Sequence, residues 1–314
     1  MLKKYSRRFI RVLFSPLGSY KLIVYIRIVR FFRFLGMRFL SQKLLKSFDL
    51  KGCSFVKTSI KTSFGVKYIY LTNSIDDLRY SCRSDFLEWE FVSRSFFTSI
   101  ATNCEFILDI GAYTGVYSME AALKNRNCIV RAFEPNPIIF SNLRNNIELN
   151  ELSNRVGLFQ SALGSKEGLS KLYIPEYSKS TSISSLISES SRYIEVPVST
   201  IDHIFYSQRI DLIKIDVEGY ESEVFIGGQH VLDQSKPIIL AEALTDDELV
   251  NQKLILSKYG YLDPIQVFSG SKSDKRNYVW FSKKDKLKVH SQLNISRYEF
   301  INRNSKFSQA QNKF

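Results

Sequence analysis

The stretch Phe106–Ser118, FILDIGAYTGVYS, decides how the rest of the chain is read. FILDI is a short apolar run ending on an acid, the pattern of a buried strand. Gly111, Ala112 and Gly115 supply the small residues of a tight turn, and a helix is expected to begin near Gly115. A strand, a turn and a helix N-terminus in that order suit a ligand held at the end of a parallel sheet. Asp109 beside the turn repels phosphate and favours a cationic group such as an amino-acid ammonium. Gly111 and Gly115 lie four apart with no glycine between them, so the stretch is not G-x-G-x-x-G. A nicotinamide or flavin nucleotide is the weaker reading.

Working outward, strands and helices alternate. Ile129–Phe133 reads as a strand ending on Glu134, and Pro135 and Pro137 stop it and start a helix with Phe140, Leu143 and Ile147 on one face. Val156–Ala162 reads as the third strand, and IDLIKIDV, residues 210–217, as the fourth, ending at Asp216. Gly219 opens a helix that carries Val224 and Leu232 inward. Pro237–Leu240 is the fifth strand, leading to Glu242, and Thr245 with Glu248 forms a capping-box pattern. Tyr261–Phe268 and Tyr278–Ser282, with no helix between them, predict an antiparallel pair at one edge of a mostly parallel sheet. Ser178–Ser191 reads as a serine-rich surface loop, open to the role of a lid, and the tail beyond Lys283 as a loosely held helix or partly disordered segment. Ahead of the central strand, Gly52–Tyr70 alternates like a hairpin turning near Gly65, and Asp85–Ile100 like a helix.

The division expected is a basic helical segment over 1–51, a hairpin and helix over 52–100, the ligand-binding domain over 101–283 and a polar tail over 284–314. The net charge of +13 is concentrated in the first segment, which holds thirteen Lys or Arg against Asp49 alone and leaves the remainder near neutral. In Lys21–Lys46, Arg27, Arg30, Arg33 and Arg38 fall in one helical sector, opposite apolar faces that include Phe31, Phe32, Phe34 and Phe39. Arginines interrupt the apolar run well before the ~18 residues of a spanning helix. An interfacial helix on an anionic membrane is expected, at the inner face of the cytoplasmic membrane, ahead of a helix covering the domain or a partner. Charge segregated in this way argues against a nucleic-acid partner. The four cysteines form no ligand-spaced pair, which fits a reducing cytoplasm and neither zinc nor disulfides.

Asp109, Glu134, Asp216 and Glu242 each stand at a strand end, where open α/β sheets bind ligands. Glu134, 25 residues after Asp109, is placed to accept both hydroxyls of a ribose. Together with Asp109 it specifies a nucleoside joined to an amino acid without phosphates, which is S-adenosylmethionine. From Phe106 to Glu242 the chain resembles the FkbM-type family of S-adenosylmethionine-dependent methyltransferases, through DIGAYTG, AFEPNP with Asn142 and Asn145, the turn Ser161-Ala162-Leu163-Gly164, TIDHI and KIDVEGYE. The resemblance implies a Rossmann-like, seven-stranded class I methyltransferase fold and O-methylation of a sugar or other small acceptor, glycolipid-linked acceptors included. It places the cofactor on Asp109, Gly111, Ala112, Gly115, Glu134, Pro135, Asn136, Ser161, Ala162 and Asp216. Tyr113 stands where the family has a small polar residue, often Asn. Asp216 is the first candidate for the general base and His203 the second. Asp216 and Glu218 pair on one side only if the strand persists, and no metal is expected. Trp89 and Trp280 are read as buried aromatics. The rival to the enzyme is a non-catalytic module of the same fold that binds a nucleoside or a partner.

Overall fold

A computed structural model of the chain describes residues 56–72, 90–174, 193–267 and 276–311. The basic segment, the serine-rich loop and Trp89 lie outside these residues.

Strands β1 (Val56–Lys61) and β2 (Lys67–Thr72) form an antiparallel hairpin with the register Val56↔Thr72 to Lys61↔Lys67. Its period-two pattern buries Tyr68 and Tyr70 and leaves Lys67 outside. Helix α1 (Phe91–Ala101) is buried on nearly every side, which its run of Phe, Val and Ile requires. The alternating unit expected from the sequence follows: β3 (Phe106–Ile110), α2 (Val116–Lys124), β4 (Ile129–Phe133), α3 (Pro137–Leu149) and β5 (Val156–Phe159).

The third strand stops at Phe159, short of the Ala162 expected. The chain bends at Ser161, and β6 (Ala162–Leu163) joins a separate three-stranded sheet with β7 (Gly168–Tyr173) and β8 (Tyr193–Ser199) in the order β6-β8-β7. An apolar run cannot reveal a change of strand partner, so sequence merged the two strands. Helix α4 (Ile201–Phe205), capped by Thr200, leads to β9 (Leu212–Ile215). The single helix expected after Gly219 is two, α5 (Glu221–Ile226) and α6 (Gln229–Ser235). Gly227 stands at the break, where the carbonyl oxygen of Gly164 lies 1.9 Å from the place of a Cβ, so only glycine fits there. Next come β10 (Ile238–Glu242), α7 (Asp246–Leu256) with the expected Thr245/Glu248 capping box, β11 (Ile265–Gln266), β12 (Asn277–Trp280) and α8 (Lys286–Gln311).

The main sheet has the order β11-β12-β10-β9-β3-β4-β5, parallel except for β12, which runs antiparallel to both β10 and β11. This is the Rossmann-like seven-stranded class I methyltransferase arrangement. Strand order reverses between β3 and β9, which puts the binding crevice at their carboxyl ends. The tail also departs from expectation. Rather than hanging loosely, α8 lays Val289, Leu293 and Ser296 inward, packs along α1, and receives a hydrogen bond from Ser95 Oγ at Glu299 Oε2, 3.1 Å. Among the described residues no helix is long and apolar enough to cross a membrane.

Two side-chain devices attach the leading segment to this sheet. Asn146 and Asn150, one turn apart on α3, each offer an amide to the outer edge of β2. Leu71 N donates to Asn146 Oδ1 at 2.7 Å and Ile69 N to Asn150 Oδ1 at 2.8 Å, while the two side-chain NH2 groups donate back to the Leu71 and Ile69 carbonyls. They stand in for a neighbouring strand. Beneath the hairpin, Arg94 of α1 is ion-paired with Glu120 of α2, and Tyr68 Oη donates to the same carboxylate at 3.0 Å, all three fully buried.

Candidate active site

The turn after β3 is built on β4. Phe133 O accepts from both Gly111 N, 3.0 Å, and Ala112 N, 2.8 Å, and Tyr113 N donates to Glu134 Oε2 at 3.1 Å. Gly115 N turns inward to Ala112 O at 2.8 Å. These amides, which would cradle a phosphate in a dinucleotide fold, are thus engaged within the protein. Gly111 has φ +74° and no room for a side chain, because a Cβ there would come within 1.8 Å of Asp216 O. This contact joins the turn to the end of β9, so the acids that close β3 and β9 are neighbours.

Asp109 lies beneath the turn, 1% exposed. Its Oδ2 accepts from Ser118 N, 3.0 Å, and Ser118 Oγ, 2.6 Å, and so locks the start of α2; its Oδ1 is buried without a hydrogen-bond partner among the described residues. Glu134 is held by Tyr113 N and by Asn136 N, 2.8 Å, one to each oxygen, which fixes the plane of the carboxylate. Asn136 in turn caps α3, its side chain accepting from Ile138 N and Ile139 N. Burial raises Glu134 to about 7, against the lowering effect of its hydrogen bonds from Asn136 N and Tyr113 N. Pro135 is half-buried between the two.

At the end of β9, Lys214 Nζ donates to Asp216 Oδ2 at 2.8 Å and lies 4.9 Å from the centroid of the Tyr117 ring. Tyr117 Oη donates to Glu90 Oε2 at 2.7 Å, which brings an acid from ahead of α1 into the cluster. Strand β9 ends at Ile215, so the alternation that would pair Asp216 with Glu218 does not continue; Glu218 sits in the loop at φ +54°. Glu221 Oε1 shapes that loop by accepting from Val217 N at 3.0 Å and Gly219 N at 3.4 Å. Burial, and then the charge of Asp216, push Glu218 to about 7 and Glu242 to about 9. Glu242 is therefore protonated near neutrality. Three non-glycine residues with left-handed backbone, Glu90, Tyr113 and Glu218, surround this site, a local cost of order 1–3 kcal/mol each.

The structure thus brings together Asp109, Gly111, Ala112, Glu134, Pro135, Asn136 and Asp216, with Gly115 opening α2 behind them. Ser161 lies in the bend between β5 and β6, and Ala162 is buried at the start of β6. His203 is exposed on α4, where Nδ1 meets Glu167 Oε1 at 3.0 Å. Trp280 is buried in the core, 1% exposed. Among the described residues no group of three or more His, Cys, Asp or Glu side chains could hold a metal ion. Sequence reasoning passed over Ser118, Lys214 and Glu90. Lys214 carried a signal, a lone cation inside an otherwise apolar strand.

Residues 109–262 match the family described as the methyltransferase FkbM domain. Methyltransferase sdnD of Sordaria araneosa is 27% identical over a match covering 45% of this chain and 69% of that protein. Methyltransferase 1 of Beauveria bassiana (strain ARSEF 2860) is 23% identical, with 63% and 91% covered. The crystal structure of methyltransferase FkbM from Methylobacillus flagellatus KT gives a TM-score of 0.44 at 17% identity, with 66% of this chain and 53% of that one covered, so this chain spans about half of its length. Residues 109–262, which hold the parallel strands of the sheet from β4 to β10 and the acids at their ends, are similar to the methyltransferase FkbM domain, and methyltransferase activity is what these matches support.

Proposed function

We propose that the protein transfers a methyl group from S-adenosylmethionine to a hydroxyl of a sugar, free or within a glycan or glycolipid. The observation that carries the cofactor half is Glu134, a buried carboxylate with each oxygen fixed by one backbone amide, beside a turn whose own amides are engaged. Each oxygen keeps a lone pair for a ribose hydroxyl, while the amides of Gly111, Ala112, Tyr113 and Gly115 are already taken and offer nothing to a phosphate. That is the fit expected of an adenosine attached to an amino acid. Bound there, S-adenosylmethionine supplies a methyl group activated by its sulfonium.

The chain's own part is to align the acceptor, exclude water and take up one proton. A sugar hydroxyl is a poor nucleophile near neutral pH, so an adjacent base assists it. Asp216 fits that role by position: it is 29% exposed at the mouth, Oδ2 is held by Lys214, and Oδ1 has no partner among the described residues. Asp216 would take up the proton that the acceptor's hydroxyl loses on methylation. His203, solvent-facing and engaged with Glu167, is the weaker candidate.

Two measurements test this. Calorimetric titration is expected to show binding of S-adenosylhomocysteine and none of NAD; the reverse result refutes the cofactor assignment. Incubation with S-adenosylmethionine bearing a deuterated methyl group, followed by mass spectrometry of sugar, glycan and glycolipid fractions, is expected to find the label on oxygen. Label on nitrogen or on protein would refute the acceptor class. The basic segment, by its composition, is proposed to hold the enzyme on the inner face of the cytoplasmic membrane. Full-length protein is then expected to sediment with anionic liposomes in a salt-sensitive manner and a form lacking residues 1–51 is not; equal sedimentation refutes it.

A further inference from the structure

Burial disfavours the charge of Lys214, but Asp216, Glu90 and Asp109 outweigh it and raise the group, so a cation is held among acids at the end of β9. It stands on β9 in register with Asp109 of β3, 3% exposed, and among the described residues its ammonium makes one hydrogen bond, to Asp216, besides its contact with the Tyr117 ring. Removing an ammonium from water carries an effective penalty of several kcal/mol, recovered only when its donors are well satisfied. An apolar side chain of similar length would fill the same strand position without that penalty. The groups around it come from every neighbouring element: Asp216 from its own strand, Asp109 from β3, Tyr117 from α2, Glu90 from ahead of α1, and Glu242 from β10. Acids from four parts of the chain converge on one cation.

Among the described residues, the direct ion pair that cation makes is with the acid at the mouth of the crevice. We propose that Lys214 is a positioning residue for methyl transfer: it fixes Asp216 by Oδ2, leaves Oδ1 for the acceptor's hydroxyl, and balances the charge that Asp216 carries among four other carboxyl groups. The inference rests on the reading of Asp216 as the proton acceptor. Lys214 gives up no proton in the step. It acts through Asp216, by holding one oxygen and offsetting the repulsion from Glu90, Asp109, Glu218 and Glu242. The same field fits the raised Glu218 and Glu242, for both of which Lys214 is a lowering influence.

The test compares full-length parent protein with Lys214→Met, and with Lys214→Gln should thermal melting show the methionine variant unfolded. Protein labelled with 13C at Asp and Glu side-chain carboxyls is followed by NMR as pH is varied, with Asp216→Asn and Glu218→Gln identifying the two signals. The expected result is a displaced Asp216 signal in the folded variant and a Glu218 titration moved above its parent value of about 7, by about one pH unit for one opposite charge removed at close range. S-adenosylhomocysteine affinity is expected to stay within about threefold of the parent, since Lys214 faces the acceptor base and not the ribose acid. With the acceptor found by deuterated-methyl labelling, kcat is expected to fall at least ~tenfold while KM holds within about threefold. An Asp216 signal that stays at its parent position in the folded variant overturns the proposal, as does an unchanged kcat. A parent protein that fails to bind S-adenosylhomocysteine refutes the reading of the site, and the carboxyl signals still decide the role of Lys214.

Discussion

Gly111 has the least latitude of any residue in the site. A methyl group there collides with the Asp216 carbonyl, and φ +74° strains any L side chain. Gly111→Ala is expected to destabilise the protein by about 2–3 kcal/mol and to abolish measurable S-adenosylhomocysteine binding; calorimetry and a thermal melt read the two. Glu242 supplies a test of opposite sign. Its folded value, raised to about 9, exceeds the ordinary 4.5, so the folded state keeps a proton that the unfolded state gives up, and stability falls as pH rises between those values. Glu242→Gln mimics the protonated form. It is expected to match the parent near pH 4 and to exceed it by at least ~1.4 kcal/mol at pH 9, the worth of a tenfold difference in proton affinity between folded and unfolded chain, in denaturant melts at the two pH values. The strand-end acids were legible in sequence because each closes an apolar run. Ser118 and Glu90 were not, because their meaning lies in partners nine and 27 residues away that no period connects, whereas Lys214 was marked only as a lone cation in an apolar strand.

At the scale of elements, the parallel unit was readable from β3 to α3 almost to the residue: long apolar runs, Pro137 at the first position of α3 and the Thr245 box are local signals. The failures are tertiary. Nothing between Val156 and Leu163 announces that the strand changes sheets, and the close approach of Gly164 to Gly227, where the helix breaks, is a contact between distant segments. The tail was misjudged because two apolar side chains, Val289 and Leu293, make its inward stripe and the rest is polar. The Arg94–Glu120–Tyr68 cluster belongs to this scale as well, since it binds α1, α2 and the hairpin together. Glu120→Ala leaves a buried guanidinium unpaired and is expected to cost about 3–5 kcal/mol, whereas Tyr68→Phe, which removes one neutral donor, is expected to cost about 1–2 kcal/mol. Urea denaturation of the two variants checks the order.

For the molecule as a whole, the segment before β3 and the helix after β12 work as one support. Helix α1 lies between α2 and α8, and Glu90 at its start reaches Tyr117. A chain ended at Asp285 exposes the buried side of α1 and is expected to melt at a temperature at least ~2 °C lower, from a loss of more than about 1 kcal/mol in a domain of this size. The support also bears on the crevice, so the shortened form is expected to bind S-adenosylhomocysteine more weakly in calorimetry.

The amides of the first turn have one more consequence. Cells hold phosphorylated adenine nucleotides in large excess over most adenosine-bearing cofactors, and a turn that donated to phosphate would be occupied by them most of the time. Here Phe133, Glu134 and Ala112 already take those donors, so a phosphate gains no hydrogen bond from them. On the proposed reading of the cofactor, inhibitors for this site belong among uncharged or cationic adenosine derivatives. Adding millimolar ATP is expected to leave the S-adenosylhomocysteine affinity within about twofold of its value without ATP.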